Sequence, residues 1–384
     1  MHGNITIKKF FSLISLAFVL LYLILPAFAA EYTADVNAKS AILIEASTGK
    51  IIFEKNADEA LPPASVTKIM SLLLVMEAID SGRLNYTDMV SVSAHAASMG
   101  GSQVYLKEGE SMSVDELIKC VVVASANDAT VALAEHVAGS EEAFVAKMNA
   151  RAEELGMKNT HFENTNGLDD SVTNHLTSAR DIAIMSRELI SHEKILEYSS
   201  IWMDTIRDGA FGLTNTNRLI RFYKGANGLK TGSTSKALFC MSATALRDGM
   251  QLIAVIMGAP TRDIRNEEAK KLLDFGFANY SVLNKEGGTL PNIKVLGGTK
   301  EDCSLSYPGF SALLNKGEDL KIETKTELPV SINAPVKAGD MIGTVSYYCG
   351  DKKVGEVGIT ATETVEKISF GELFLRMLQR FFTP

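Results

Sequence analysis

The sequence predicts a mixed α/β (α+β) domain with an inserted helical region, followed by a small all-β domain and a terminal amphipathic helix. Three observations support this fold class: strand-like pairs flank a run of helices, the composition changes after Tyr280, and helical periodicity returns from Ile368 to Phe382. The chain has 384 residues, 46% of them hydrophobic, which is enough for about two domains with buried cores.

The N-terminus has the parts of a secretory signal peptide. Lys8 and Lys9 precede an apolar run from Phe10 to Leu25, and an Ala-x-Ala site ends at Ala29. We predict a signal peptide over residues 1–29 and an exported mature chain. The alternative is an uncleaved membrane anchor, although this run is shorter than the roughly 18–20 apolar residues that span hydrocarbon.

The elements of the first domain, predicted over residues 30–281, follow from local patterns. Two β-branched runs around Ser47-Thr48-Gly49 predict a hairpin, and Pro62-Pro63 ends that segment. The helical stretch Ser65 to Ile79 is apolar nearly all round, as in a helix at a domain centre. Later patterns predict helices over 115–137 (interrupted at 125–127), 141–155, 178–189 and 265–275, and strands over 238–243 and 251–258.

Short alternating segments such as Lys321 to Glu323 and Met341 to Tyr348 predict an all-β domain over residues 284–365. Four cysteines are present. Cys120 and Cys240 lie in apolar runs that indicate buried free thiols, whereas Cys303 and Cys349 could either pair or stay free.

The formal net charge of −8 and an aromatic content of 7% argue against a nucleic-acid partner. No metal-binding motif, G-x-S-x-G elbow or phosphate-binding loop occurs, so we expect no metal or organic cofactor. No His stands in a triad context, and a hydrolase would therefore need another base. Lysine can serve as that base when it is desolvated.

The string S-x-x-K occurs four times, at Ser47, Ser65, Ser191 and Ser233. Only Ser65/Lys68 starts a buried helix, where residues three apart share a face and the helix N-terminus favours negative charge. Ser65 could instead be only a helix N-cap. Two further elements lie downstream: Ser125-Ala126-Asn127 at the break between two helices, and Lys230-Thr231-Gly232 at the start of a strand. Either could be an ordinary turn, but the three together are far more specific.

In this order, the three elements resemble the low-molecular-weight penicillin-binding proteins, the D-alanyl-D-alanine carboxypeptidases. The resemblance runs from about Tyr32 to Phe277 and is carried by the segments 62–70, 125–128, 177–181 and 228–234. It implies the penicillin-binding/β-lactamase-like transpeptidase fold. It also implies peptidoglycan stem peptides as the substrate and β-lactams as covalent inhibitors.

The resemblance further implies a role for each residue. Ser65 is the nucleophile, Lys68 its base and Ser125 the relay to the leaving amine. Asn127 hydrogen-bonds the substrate, and Lys230 and Thr231 hold its carboxylate. Gly232 and Ser233 complete the strand that binds the substrate. The backbone N–H groups of Ser65 and Ser233 stabilise the oxyanion. The sequence departs from the family pattern at Asn164-Thr165-Asn166, at Ala126 and at Ser233.

Three alternatives to this function share parts of the sequence pattern: a class A β-lactamase, a non-catalytic wall-binding protein and an endopeptidase. A class A β-lactamase would need a Glu to activate water, and the region 159–180 offers only Glu163. A non-catalytic wall-binding protein would not need three intact elements. Endopeptidase action on cross-links remains open.

The terminal helix, predicted over 368–382, carries an apolar stripe with four Phe and Arg neighbours. The stripe could pack on the protein's own core. We favour peripheral attachment to the outer face of the cytoplasmic membrane, because the stripe lies at the chain end and is too short to span a bilayer.

Overall fold

The computed structural model describes residues 35–382, and the predicted signal peptide lies outside the described residues. The strands of the N-terminal domain are β1 Ser40–Glu45, β2 Ile51–Lys55, β3 Met89–Ser91, β4 Ser111–Ser113, β5 Met203–Ile206, β6 Phe211–Thr214, β7 Ala226–Thr234, β8 Leu238–Arg247 and β9 Met250–Ala259. Its helices are α1 Lys68–Asp80, α2 Ala94–Ala97, α3 Val114–Val123, α4 Asn127–Ala138, α5 Glu141–Glu154, α6 Ala179–Ser191, α7 Lys194–Ser199, α8 Leu219–Phe222 and α9 Arg262–Asn279. A 3-10 turn, Ala64–Thr67, leads directly into α1.

The centre of this domain is a five-stranded antiparallel sheet in the order β2-β1-β9-β8-β7. All of β1 is buried, because its two faces pack against different partners. Ile42 and Ile44 join the helical core, whereas Leu43 faces α9. Gly276 lets α9 approach closely, since a Cβ there would lie 2.5 Å from Leu252 Cδ1. Burial on both faces explains why the middle of β1, Ala41 to Ile44, is apolar without alternation.

Helix α1 lies inside the inserted helical region and packs against α4, α5 and α6. Ten of its residues are buried, as its all-round apolar pattern predicts. The predicted hairpin and the two predicted strands are confirmed by β1–β2 and by β8 and β9. The helix break predicted at 125–127 lies at 124–126, because Asn127 already begins α4. The predicted helix over 265–275 extends further in both directions as α9.

The C-terminal domain is all-β, as predicted. Its strands are β10 Tyr280–Lys285, β11 Gly288–Leu296, β12 Asp302–Tyr307, β13 Phe310–Asn315, β14 Ile322–Glu327, β15 Ser331–Asn333, β16 Met341–Cys349 and β17 Lys352–Ala361. Six of them form one sheet in the order β14-β16-β17-β12-β11-β15, and β10 pairs with β13. The core of this domain includes Leu305 and Ile359, and the ring of Tyr347 stacks on Phe310 at a centroid distance of 4.5 Å.

The four cysteines are free thiols. Cys120 and Cys240 are buried, as predicted. The Cys303–Cys349 pairing that the sequence left open is not formed, because Cys303 lies on β12 and Cys349 at the end of β16, with β17 between these two strands.

The chain ends in helix α10, Phe370–Phe382. Ser369 and Glu372 form a capping box: the Glu372 N–H donates to Ser369 Oγ, and the Ser369 N–H donates to the Glu372 carboxylate. Arg376 donates to the carbonyls of Gly298 and Thr299 and so ties the helix to the β-domain. The apolar stripe is exposed along its length, with Phe381 84% exposed, so the alternative that it packs on the protein's core is wrong. Across residues 35–382, no helix is long and apolar enough to cross a bilayer.

Candidate active site

Three elements that are distant in sequence meet at one cleft of about 640 Å³. The 3-10 turn before α1 contributes Ser65, the break between α3 and α4 contributes Ser125, and β7 contributes Thr231, Gly232 and Ser233. The structure therefore brings together all three elements that the sequence singled out. Because each lies at the end or edge of a rigid element, their positions are set by the packed core.

Ser65 and Lys68 are in direct contact. Lys68 Nζ lies 2.8 Å from Ser65 Oγ, as the i, i+3 spacing predicts. The N-cap of the 3-10 turn is Pro63 and that of α1 is Thr67, so the interpretation of Ser65 as a simple N-cap is wrong. The hydroxyl of Ser65 is instead available to the cleft.

The other three S-x-x-K strings form no such pair. Ser47 Oγ donates to the carboxylate of Glu45. Ser191 Oγ donates to the carbonyl of Glu188, and Lys236 Nζ to the carbonyl of Asp169. Local context, rather than the string itself, therefore selects Ser65/Lys68.

Lys68 is completely buried at the floor of the site. Besides Ser65, its Nζ contacts the main-chain carbonyl of Asn166 at 2.8 Å. Burial, and secondarily the charge of Lys230, hold the pKa of Lys68 well below its ordinary value. A lowered pKa favours the neutral amine, which is the form that can accept a proton from Ser65.

Ser125 is held by the second lysine. Lys230 Nζ donates to Ser125 Oγ and to the Thr231 carbonyl, both at 2.8 Å, and its side chain is buried. Burial and the nearby Arg265 lower the pKa of Lys230 to about 7. Ser125 itself has a backbone φ of +61°, which is rare for a residue with a side chain and concentrates at functional sites. Lys230 thus reaches the cleft through Ser125, whereas Thr231 lines it directly.

Gly232 permits the close approach of β7 to the turn that carries Ser65. A Cβ at this position would lie 2.8 Å from the Ser65 nitrogen and 2.9 Å from the Val66 nitrogen. Any side chain there would push the strand away from the turn, so the glycine of the K-T-G element is required by packing. The neighbouring Thr231 Oγ1 donates to Thr216 Oγ1 at 2.8 Å, which orients the threonine.

Asn127 lies at the first turn of α4 and is buried. Its Nδ2 donates to the Gly100 carbonyl at 2.7 Å, while its Oδ1 has no partner among the described residues. A buried amide oxygen without a partner is costly unless a ligand satisfies it. Asn127 therefore has an unused acceptor, although Asn127 itself is not among the residues that line the cleft.

Sequence reasoning missed Arg265 and Thr216, which also line the cleft. Arg265 is 3% exposed, and burial together with Arg262 lowers its pKa to about 10. The sequence shows only an arginine at the start of the predicted helix 265–275, which is a weak signal for a functional residue. Asn166 was missed for a different reason: it acts through its main-chain carbonyl, which no residue type reveals.

Comparison with known proteins places this arrangement in context. The family model described as D-alanyl-D-alanine carboxypeptidase matches residues 27–261, and one described as penicillin-binding protein 5, C-terminal domain, matches residues 280–367. The chain is 44% identical to the D-alanyl-D-alanine carboxypeptidase DacF of Bacillus subtilis (strain 168) over 87% of each chain. This chain belongs to the D-alanyl-D-alanine carboxypeptidase family.

Solved structures agree with this family assignment. Penicillin-binding protein 5 from Haemophilus influenzae superposes with a TM-score of 0.76 at 31% identity, covering 88% of this chain and all of that one. The ampicillin-bound form of penicillin-binding protein D2 from Listeria monocytogenes gives a TM-score of 0.59 at 31% identity, covering 64% of this chain and all of that one. These similarities confirm the predicted penicillin-binding fold.

The position of Glu163 bears on the class A β-lactamase alternative. This side chain is exposed, and its carboxylate accepts the N–H groups of Thr173 and Asn174. It is not part of the cleft lining. Glu163 is therefore not placed to activate a deacylating water, which is the role that a glutamate has in a class A β-lactamase.

His175 supports the turn that carries Ser65. Its Nδ1 accepts the Glu163 N–H at 3.0 Å, so in the neutral ring Nε2 carries the hydrogen. Nε2 lies 2.8 Å from Thr67 Oγ1, which donates to the Ala64 carbonyl at 2.8 Å. Ala64 has a φ of +49°, an unfavourable conformation that these hydrogen bonds help to hold.

The buried His175 makes stability depend on pH. Burial lowers its pKa to about 4, whereas the unfolded value is about 6.5. The unfolded state thus binds more protons between these values, and the free energy of unfolding should fall as the pH falls from about 6.5 towards 4, by up to about 1.4 kcal/mol per pH unit. The variant His175→Gln keeps a hydrogen-bond donor to Thr67. Its free energy of unfolding, measured with urea, should change less between about pH 6.5 and pH 4 than that of the wild type. Parallel curves for the two proteins would show that His175 does not titrate there.

Proposed function

We propose that this protein is a serine-type D-Ala-D-Ala carboxypeptidase that removes the terminal D-alanine from peptidoglycan stem pentapeptides through an acyl-enzyme at Ser65. The observation that carries the proposal is a pair of serine–lysine contacts in one cleft, Ser65 with Lys68 and Ser125 with Lys230. Membership of the D-alanyl-D-alanine carboxypeptidase family supports the same activity.

Acylation begins with proton transfer from Ser65 to Lys68. The neutral amine of Lys68 takes the hydroxyl proton while Ser65 Oγ bonds to the carbonyl carbon of the penultimate D-alanine. Negative charge then develops on the carbonyl oxygen. The N–H groups of Ser65 and Ser233 stabilise this oxyanion, and the close packing of Gly232 on Ser65 brings those two residues together.

Release of D-alanine requires a proton on the leaving nitrogen. Ser125 relays the proton from Lys68 as the C–N bond breaks. Because the Lys230 ammonium donates to Ser125 Oγ, the hydroxyl hydrogen of Ser125 points away from Lys230 and can be directed to the substrate. Water then hydrolyses the ester and regenerates Ser65.

The substrate is held at both of its ends. Thr231 and the buried cation Arg265 face the terminal carboxylate, with Lys230 adding positive charge behind them. The unpaired Oδ1 of Asn127 accepts a substrate N–H, and Ser233 continues the edge of β7 along the peptide. β-Lactams present a similar carboxylate and carbonyl, so they acylate Ser65.

The direct test measures D-alanine release from a purified pentapeptide and acylation by a fluorescent penicillin. We expect steady release together with a slowly hydrolysed covalent adduct. Rapid turnover of penicillin without D-alanine release would favour a β-lactamase, and the absence of both activities would favour a non-catalytic wall-binding protein.

We further propose that residues 1–29 direct export, that the catalytic domain (30–281) and β-domain (284–365) lie outside the cell membrane, and that residues 368–382 attach the enzyme to its outer face. The exposed stripe of α10 supports this attachment. The stripe consists of eight side chains: Ile368, Phe370, Leu373, Phe374, Met377, Leu378, Phe381 and Phe382. Half burial of these side chains contributes about 6–12 kcal/mol. Association costs of about 4–15 kcal/mol offset much of this gain, so binding is peripheral and reversible.

Deleting the residues after Glu366 should release the mature enzyme from anionic lipid vesicles and leave D-alanine release from soluble peptides nearly unchanged. Co-sedimentation with vesicles measures the first effect. The full-length double variant Phe374→Glu/Phe381→Glu should behave like the deletion, since it charges the stripe without shortening the chain. Binding to membranes that survives the deletion in the unprocessed protein would point to residues 10–25 as the anchor.

A further inference from the structure

The active-site cleft extends beyond the residues that the proposed reaction uses. Its volume of about 640 Å³, which holds the acyl part of the stem as well as the leaving residue, lies within the range of about 300–1,000 Å³ that accommodates drug-sized ligands. The part of the cleft that the reaction does not use has a definite location. Six of its lining residues come from one segment, 202–222.

This segment lies on the leaving-group side of Ser65. Thr216 accepts a hydrogen bond from Thr231, and its N–H donates to the carbonyl of Val123, two residues before Ser125. In the proposed reaction, Ser125 protonates the leaving nitrogen and Thr231 faces the leaving carboxylate. The space around Thr216 therefore receives the side chain of the residue that leaves.

The charge of this space is positive. Arg218, Arg262 and Arg265 line the cleft, and no Asp or Glu does so in the described part of the chain. Arg265 is buried and faces the terminal carboxylate, whereas Arg218 and Arg262 are exposed. The ion pair between Arg218 and Asp263 is long, at 4.0 Å, and leaves Arg218 available to another anion.

An apolar surface lies beside these cations. The rings of Trp202 and Phe222 meet edge to face at a centroid distance of 6.1 Å, and Phe222 is 63% exposed. Arg221 lies 5.7 Å from each ring centroid and holds the pair in place. Such a surface suits an aliphatic chain with a charged end.

We infer that this enzyme has a leaving-residue subsite, built from Trp202, Phe222, Arg218 and Arg262, that accepts a D-configured residue whose extended side chain carries a second carboxylate. The inference rests on the proposed function, because it needs the same acyl transfer at Ser65. Two substrates have this chemistry: a stem that ends in an acidic D-residue, and a cross-linked stem in which a second anionic peptide continues from the leaving residue. In both, the amide bond breaks and the leaving amine gains a proton.

The test compares kcat/KM for three peptides that differ only in the leaving residue: acyl-D-Ala-D-Ala, acyl-D-Ala-D-Glu and acyl-D-Ala-D-Gln. D-Glu and D-Gln have the same shape, so their ratio isolates the second carboxylate. We expect a ratio of about fivefold in favour of D-Glu at low salt, because exposed ion pairs contribute modestly. The ratio should fall towards one in Arg218→Gln/Arg262→Gln and at high salt.

Lys224→Gln is the matched control, since it removes one positive charge from an exposed position of a neighbouring segment outside the cleft lining. It should preserve the D-Glu to D-Gln ratio. A ratio near one in the wild-type enzyme, or a ratio that the double arginine variant does not change, overturns the inference.

A purified cross-linked peptide dimer distinguishes the two substrate sources. Cleavage of the dimer that is slower in the double arginine variant identifies the cross-linked stem as the occupant. The fivefold ratio without dimer cleavage identifies a single acidic D-residue instead. Failure to release D-alanine from acyl-D-Ala-D-Ala would contradict the proposed function itself and is thus separable from failure of the subsite.

Discussion

Ser65→Ala is expected to stop covalent labelling by a fluorescent penicillin and to lower D-alanine release by about 10⁴–10⁶-fold. The reason is that Ser65 Oγ is the atom that would form the acyl bond, and Lys68 is left with no proton to accept. Binding groups such as Thr231 and Arg265 remain in the variant, so weak substrate binding should survive. Gel fluorescence after penicillin treatment and release of free D-alanine measure the two effects.

Ser47→Ala is the matched control for this experiment. Ser47 also starts an S-x-x-K string, but its hydroxyl contacts Glu45 on the β1–β2 turn. This variant should label and hydrolyse like the wild type. A covalent adduct that persists in Ser65→Ala would show that another residue is the nucleophile.

The two lysines are expected to respond differently to replacement by arginine. Lys68→Arg should lose activity by about 10²–10⁴-fold, because a guanidinium stays protonated and cannot serve as the base. Lys230→Arg keeps the positive charge next to Ser125, so it should retain measurable activity. Its loss should be smaller than that of Lys68→Arg and at most about 10²-fold, since the longer side chain displaces groups in a buried site.

Single-turnover acylation by penicillin separates these effects, because it reports the step that uses Lys68. Thermal unfolding of both variants controls for damage to the fold, since both lysines are buried. Equal losses of acylation rate in the two variants, at similar stability, would contradict the separate roles of base and charge.

Local sequence patterns determined most of the secondary structure. The hairpin around Ser47-Thr48-Gly49, the buried helix after Pro62-Pro63 and the break at Ser125-Ala126 follow from turn chemistry and apolar periodicity, which act over a few residues. The Ser65–Lys68 contact is of the same kind, because residues three apart on a helix are neighbours whatever the rest of the chain does. The family motifs extended the prediction to Ser125, Asn127 and β7.

Only the tertiary structure decided which groups meet across long separations. Lys230 contacts Ser125 across 105 residues, and Lys68 contacts the carbonyl of Asn166 across 98. Every residue has a main-chain carbonyl, so the residue type does not reveal which carbonyl will contact Lys68. The pKa of a lysine depends on how deeply its side chain is buried, and that burial is fixed only when the core packs. The buried positions of Arg265 and His175 depend on the same packing.

The sequence by itself determined the elements, the Ser65–Lys68 contact and the three motifs of the family, because these depend on spacing along the chain. The structure decided that Lys230 acts through Ser125, that Cys303 and Cys349 stay apart, and that the stripe of α10 is exposed. These outcomes depend on which surfaces the strands and helices turn towards one another. That choice is made by the packing of the whole core, and no short stretch of sequence contains it.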